Sequence, residues 1–318
     1  MRDYGGVFSG VPVLITGGAG FIGSHLAHTL VGLGARVRVL DDLSGGYREN
    51  LPSGVELFAA SVMDDAALRG GMRGCAYVFH QAAMVSVPQS VAEPEKCMMV
   101  NVVGTERVLA AAKDLGVKRV MFAASAAAYG NNPQLPSKET DLPDSWSPYA
   151  ASKIAGELLL QTFSRCYGLS TCSLRYFNIF GPRQDPKSPY AAVISAFADA
   201  LMAGRMPRVN GDGEQTRDFV PVANVVHANL LAASCQRNLQ GDVINIGTGG
   251  RISLLKLLEE MGKALKIDVK PTFGEARAGD VRHSSPDISR AKEVLGYEPV
   301  MSFAEGIGLT LEWAQGKK

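Results

Sequence analysis

Short apolar runs rich in β-branched residues alternate, along the first half of the chain, with stretches whose apolar positions recur three and four residues apart. Val11 to Thr16, Arg36 to Leu40, Val55 to Ala59, Tyr77 to Ala82 and Arg119 to Ala124 read as strands. Phe21 to Leu33, Glu93 to Leu115 and Ser147 to Tyr167 read as helices. Strands separated by crossover helices predict an α/β fold with a doubly wound parallel sheet. Past about residue 180 the rhythm loosens: Gly181, Pro182, Pro186 and Pro189 punctuate a loop, a helix follows near Ala191 to Ala203, and Asn210 to Gly213 form another turn cluster. Asp242 to Ile246 regains strand character and Leu254 to Leu265 is amphipathic. The expected organisation is a sheet domain over residues 1–180 and a smaller, interleaved lobe over 181–318, with the strand near 242–247 returning to the first domain.

Composition narrows the function classes. Of 318 residues, 46% are hydrophobic and 20% charged, an ordinary globular mixture that excludes a disordered, collagenous or coiled-coil chain. Basic and acidic side chains number 32 and 31, a net charge of +1 that gives no reason to expect nucleic acid or an anionic membrane as partner. No apolar run approaches the ~20 residues that span a bilayer, and Met1-Arg2-Asp3-Tyr4 does not open a signal peptide, so a cytoplasmic protein is expected. The five cysteines are odd in number, scattered and without Cys-x-x-Cys spacing, and are expected to be reduced. His25 and His28 share a helix face, but the histidines form no cluster with cysteines or carboxylates, and no metal is expected.

The chain's most informative segment is Thr16-Gly17-Gly18-Ala19-Gly20-Phe21-Ile22-Gly23-Ser24, at the end of the first strand and the start of the first helix. Glycines there permit a tight turn, close approach of a pyrophosphate to the backbone and close packing of helix on sheet, with the helix N-terminus facing the anion. The plain alternative is a tight strand-to-helix turn. The context favours the dinucleotide, because Asp41 ends the second strand ~20 residues on, where a carboxylate accepts hydrogen bonds from a ribose. Asp41, reinforced by Asp42, repels a 2′-phosphate and so favours NAD over NADP.

Tyr149 and Lys153 form the chain's single Tyr-x-x-x-Lys. The spacing alone proves little, but Ser147 and Pro148 mark a helix start, so both side chains lie on one face a turn apart. A nearby ammonium and an oxidised nicotinamide both favour phenolate, which makes Tyr149 a usable base near neutral pH. A surface helix with an amphipathic Tyr and a solvated Lys is the alternative.

With these motifs in order, the chain resembles the extended branch of the short-chain dehydrogenase/reductase superfamily, the nucleotide-sugar enzymes. The resemblance spans nearly the whole chain: the glycine-rich turn, His80-Gln81-Ala82-Ala83, Asn101-Val102-Val103-Gly104-Thr105, Ser125 four residues before Tyr129-Gly130, Tyr149 with Lys153, and Leu174-Arg175-Tyr176-Phe177-Asn178 before Gly181-Pro182. It implies that Ser125 bonds the reacting sugar hydroxyl, Tyr149 removes its proton, and Lys153 holds the ribose and lowers the tyrosine pKa. It further implies NAD contacts from Gly17, Gly20, Phe21, Ile22, Gly23, Asp41, Asp42, Ser61, Val62, Gln81, Ala82, Ala83, Asn101 and Tyr176. Ser61 stands where the family often has an adenine-binding aspartate, with Val62 beside it to stack or offer backbone.

Within that branch, dehydratases resemble Thr-Asp-Glu where this chain has Ser125-Ala126-Ala127, and UDP-xylose-forming decarboxylases carry a glutamate nearby. Ala126 and Ala127 have no proton to give, and a missing general acid–base typically costs about 10²- to 10⁴-fold. What remains is hydride and proton transfer, as in 4-epimerisation. The chain resembles UDP-hexose 4-epimerases, above all the bacterial group acting on UDP-N-acetylglucosamine, through Arg183-Gln184-Asp185-Pro186, Tyr190 to Ile194, Asn210 to Gly213, Arg217-Asp218-Phe219 and Gly279 to Ser284. The resemblance implies substrate contacts from Ser86, Val87, Ser125, Gln184, Ala192, Val193, Asn210 and Asp280. It implies a diphosphate anchor of Asn178, Arg217 and Arg277, and a gate at Ser284 whose small side chain leaves room for an N-acetyl group. A UDP-uronic acid epimerase, another NAD-dependent nucleotide-sugar oxidoreductase or dehydratase, and a non-catalytic NAD-binding scaffold stay open beside this reading. By resemblance the long helices at 93–115 and 147–167 form a homodimer interface.

Overall fold

The computed structural model describes residues 4, 6–185, 193–275 and 281–316. Strands β1 (Pro12–Thr16), β2 (Arg36–Leu40), β3 (Glu56–Phe58), β4 (Tyr77–His80), β5 (Arg119–Ser125) and β6 (Ser170–Tyr176), with the strand Gln240–Ile246, form one seven-stranded sheet. All its pairings are parallel, and its order is Gln240–Ile246, β6, β5, β4, β1, β2, β3. The order reverses between β1 and β4, where Thr16 pairs with His80 at the carboxyl ends, and a crevice opens at such a switch point.

The strands are legible because helices cover both faces, so β1 and β5 are continuous apolar runs. One core gathers Leu26, Ala27 and Leu30 with Val225, Leu230 and Ile244; the other gathers Leu68, Val108, Phe122, Leu160 and Phe163. The helix Pro148–Tyr167 begins with Ser147 accepting from the Ala150 N–H and Pro148 in its first turn, and ends at Gly168 in the left-handed region.

Boundaries moved by a residue or two at several ends. β4 stops at His80 because the chain then turns, and Ala82 N–H donates to Thr16 Oγ1 at 3.3 Å. One prediction is corrected more substantially. The helix expected from Glu93 to Leu115 is three pieces, Pro94–Met98, a π-turn at Met99–Val103 and Gly104–Asp114. Asn101 sits in that wider turn, its carbonyl taken by Thr105 Oγ1 at 2.6 Å. Such π-turns re-aim side chains at functional positions.

The strand Gln240–Ile246 pairs β6 along the register Thr171 to Tyr176. A separate core of Phe180, Ile194, Phe197, Val209, Phe219, Leu257, Met261 and Leu311 joins the helices Val193–Met202, Leu254–Leu265 and Phe303–Gly316. Among the described residues no helix is long and apolar enough to cross a membrane.

Candidate active site

The glycine-rich turn lies at the switch point. Gly17 has φ +68°, and a Cβ there would meet Ala82 N at 2.6 Å; a Cβ on Gly23 would fall on the Gly17 carbonyl. The turn is thus as tight as the sequence suggested. Gly20 caps the helix Phe21–Gly32 with no side chain to occupy the first-turn N–H groups, which leaves a backbone cradle for an anion. Asp41 Oδ2 accepts from Ala19 N–H and Oδ1 from Leu43 N–H, each at 2.8 Å. Burial pushes its carboxyl up, and these backbone bonds pull it back. Asp42 is exposed and bonds its own turn, Ser44 N–H at 3.0 Å. The donor set and the glycine cradle fit a dinucleotide: pyrophosphate at Gly20 to Gly23, ribose at Asp41.

The remaining cofactor candidates line the carboxyl ends of successive strands. Val62 packs on Gly104, and Ser61 Oγ accepts from Met63 N–H at 3.2 Å. Gln81 Nε2 lies 3.3 Å from the Tyr176 hydroxyl, which also receives Asn229 Nδ2 at 2.8 Å. Asn101, 2% exposed, clamps the segment after Ala82 and Ala83: it accepts from Met84 N–H at 2.7 Å and donates to Met84 O at 3.0 Å and to Ser152 Oγ at 2.9 Å. His80 is wedged between Thr16 Oγ1 (2.7 Å) and Thr105 Oγ1 (3.0 Å), and burial with the Lys153 charge lowers it to about 3, so it is a neutral strut.

Ser125 ends β5, and its Oγ accepts from Ala127 N–H at 3.1 Å, which leaves its own proton to donate. It hydrogen-bonds the Tyr149 hydroxyl. Tyr149 is fixed from behind, its N–H donating to Ser90 Oγ at 3.1 Å and its carbonyl accepting from Ser152 Oγ at 2.7 Å. Lys153, 3% exposed, donates to Ala123 O at 2.8 Å and lies 5.8 Å from the Tyr149 ring centroid. Burial lowers Lys153 to about 8, against the raising effect of Cys97 and Glu157. Burial pushes the Tyr149 phenol up, and the Ser125 hydrogen bond opposes it. The positive charge of an oxidised nicotinamide would lower the phenol further.

The substrate candidates are more dispersed. Ser86 caps the helix Val87–Ala92, whose Ser90 touches Tyr149, and Val87 is exposed. Asn178 Nδ2 reaches Asp218 O at 3.5 Å, while Arg217 Nη1 donates to Thr216 O at 3.0 Å and Arg282 O at 3.1 Å. Ser284 joins the same patch by backbone, its N–H on Thr216 O and its carbonyl receiving Asp218 N–H. Gln184 Nε2 donates to Ile179 O at 3.2 Å, Val193 opens its helix, and Asn210 O receives Gln215 Nε2 at 2.8 Å. Ala192, Arg277 and Asp280 lie outside the described residues. Sequence reasoning missed Ser90, Ser152 and Cys97, which pack behind Tyr149 and Asn101, and the role of Asp218, whose buried carboxylate holds Thr248 and Gly249. Polar residues inside apolar helical periods are the only signal of the first three; Asp218 lies between the short strands Thr216–Arg217 and Val220–Pro221. Among the described residues there is no group of three or more metal-ligating side chains.

The model of the NAD dependent epimerase/dehydratase family matches residues 13–247. A UDP-glucose 4-epimerase of Mycolicibacterium smegmatis is 41% identical over 313 residues, 96% of this chain and 98% of that one. Among solved structures, a UDP-N-acetylglucosamine 4-epimerase from Methanobrevibacter ruminantium M1, in complex with UDP-N-acetylmuramic acid, superposes with a TM-score of 0.93 at 39% identity, covering 98% of this chain and 100% of that one. A UDP-glucose 4-epimerase from Thermotoga maritima, with UDP-glucose, has a TM-score of 0.92 at 39% identity, covering 96% and 99%.

Proposed function

We propose a function from one premise: this chain belongs to the NAD dependent epimerase/dehydratase family. It interconverts UDP-sugars at carbon 4, with UDP-N-acetylglucosamine and UDP-N-acetylgalactosamine as the preferred pair and UDP-glucose and UDP-galactose as a second. The observation that carries this is the Ser125, Tyr149 and Lys153 constellation standing beside Ala126 and Ala127, which offer no further acid or base for eliminating water. The relatives' names support the reaction and include both sugar classes.

NAD bound in the groove supplies a hydride acceptor, and then a donor, at carbon 4. The chain's own residues do the rest. Tyr149 takes the proton from the 4-hydroxyl through the Ser125 hydrogen bond, leaving a 4-keto sugar. Asn178 and Arg217, with Arg277, hold the diphosphate while the sugar turns its other face, as guanidinium forks suit phosphate oxygens. Tyr149 then returns the proton. Hydride and proton both go back to the sugar, so no net oxidant is consumed. Ser284 leaves the sugar's N-acetyl side open. A homodimer belongs to this proposal: Met99 and Leu158 are exposed apolar side chains on the helical segments expected to pair.

The test follows reduced nicotinamide by absorbance while the sugar is identified chromatographically. Conversion of the UDP-sugar without stoichiometric reduced nicotinamide supports epimerisation. Reduced nicotinamide accumulating mole for mole with product overturns it in favour of net oxidation.

A further inference from the structure

A closed ring of contacts involves the first turn of the helix Phe21–Gly32. On one side, segment 42–50 is fastened to the glycine-rich turn. Tyr47 N–H and Asn50 Nδ2 both donate to Ala19 O, at 3.0 and 2.9 Å, and Gly46 packs against the backbone of Ala19 and Gly20. On the other, the segment after Phe180 is fastened to the helix. Arg183 Nε donates to Ser24 Oγ at 3.0 Å, and His25 Nε2 donates to Pro182 O at 2.8 Å. The two arms meet where the Tyr47 hydroxyl donates to Asp185 Oδ2 at 2.9 Å. That bond holds the Tyr47 phenol above its ordinary value, so the hydroxyl keeps its proton at neutral pH.

The backbone agrees with a built feature. Among the described residues, the non-glycine residues at positive φ are Leu43 (59°), Arg183 (67°) and Lys266 (57°). Lys266 is the left-handed cap of a helix. The other two stand one in each arm, held against the steric penalty of that region by the contacts around them.

We propose that Tyr47 and Asp185 are positioning residues for the dinucleotide, a clasp across the first turn of the helix that retains NAD through turnover. The arms are anchored to Ala19 O and to the side chains of Ser24 and His25, so they bracket the pyrophosphate cradle without consuming its first-turn N–H groups. Retention has a chemical use. A sugar that must recover the hydride it gave is stranded as a ketone if the reduced cofactor leaves midway. The inference rests on NAD binding at the glycine-rich turn and on no choice of sugar.

The experiment measures release of NAD from the holoprotein, diluted into an NAD glycohydrolase that destroys the free cofactor, with bound NAD quantified after acid quench. Tyr47→Phe and Asp185→Ala should each speed release ~3- to 10-fold, the range of one typical net intramolecular hydrogen bond. The double variant should be no faster than the faster single one, because both remove the same bond. The melting temperatures of the NAD-stripped proteins should match the wild type. Wild-type release rates in both variants would overturn the clasp. So would a double variant whose effect is the product of the singles, or a loss of melting temperature that accounts for the loss of NAD. Sugar conversion is not read, so failure of the epimerase reading leaves each outcome distinct.

Discussion

In the cofactor groove side chains lock turns to one another: Asn101 joins Met84 to Ser152, Asp41 joins the glycine-rich turn to Leu43, and His80 joins Thr16 to Thr105. Across the substrate lobe, Arg217 donates to two backbone carbonyls, Asn178 reaches a third at 3.5 Å, and Ser284 is tied through its backbone. The first arrangement suits a group that stays through every cycle. The second fixes the path of the chain and leaves side chains to be exchanged, the condition for one scaffold to serve sugars that differ at one substituent. Changes in the groove and its base should therefore affect chemistry, and changes in the lobe should affect binding and choice.

The sharpest break in that contrast comes from Tyr149→Phe. Removing the hydroxyl should lower turnover by about 10²- to 10⁴-fold while bound NAD is unchanged, read by single-turnover kinetics and by NAD released on denaturation. Near-normal turnover would remove Tyr149 from the chemistry. Next is Arg217→Ala, which should raise KM by about 10- to 100-fold with a smaller effect on kcat, as expected for one charged contact to a diphosphate. A loss confined to kcat would place Arg217 in the chemistry instead.

Lys153→Met sharpens the groove side through stability. Burial lowers Lys153 to about 8, below the unfolded value of ~10.4, so the unfolded chain binds the proton more readily between those values. The penalty is full below pH 8 and is lifted as pH rises towards 10.5. The NAD-stripped variant should therefore be more stable than wild type by about 1–3 kcal/mol at pH 7, with the advantage shrinking above pH 8, by urea unfolding at a series of pH values. An advantage that does not depend on pH would show that packing, not charge, sets it. The smallest expected effect is at the gate. Ser284→Tyr should cut kcat/KM for UDP-N-acetylglucosamine about 10-fold more than for UDP-glucose, in a direct competition assay. Equal losses would reject Ser284 as the discriminating residue.

What could be read from the chain divides along similar lines. The strands β1 and β5 are legible because burial on both faces makes them nearly unbroken apolar runs, and β2 because Val37 and Val39 alternate with arginines. β6 was not read as a strand, because Ser170, Thr171, Ser173 and Arg175 interrupt it. Three of these satisfy their polarity inside the fold: Ser170 Oγ donates to Leu239 O, Thr171 Oγ1 to Leu160 O, and Arg175 forms a buried pair with Glu157 at 2.7 Å. The helix Val222–Ser234 is buried nearly all round and so shows no amphipathic period. The π-turn at Met99–Val103 leaves the apolar spacing intact and depends on Asn101 and Thr105, which no periodicity reports. In the site, the glycine-rich turn, Asp41, Tyr149 and Lys153 were readable because fixed local spacings carry them. The Ser90 contact to Tyr149 and the Tyr47 contact to Asp185 join residues 59 and 138 positions apart, and only the folded chain brings them together.

The most direct test of the account incubates the purified protein, with no NAD added, with UDP-N-acetylglucosamine and separately with UDP-glucose, and follows the anomeric proton signals by NMR. Appearance of the 4-epimer in both, faster for the N-acetylated sugar, is the predicted result. If neither sugar changes while denaturation releases bound NAD, the groove stands as described and the 4-epimerase reading is contradicted.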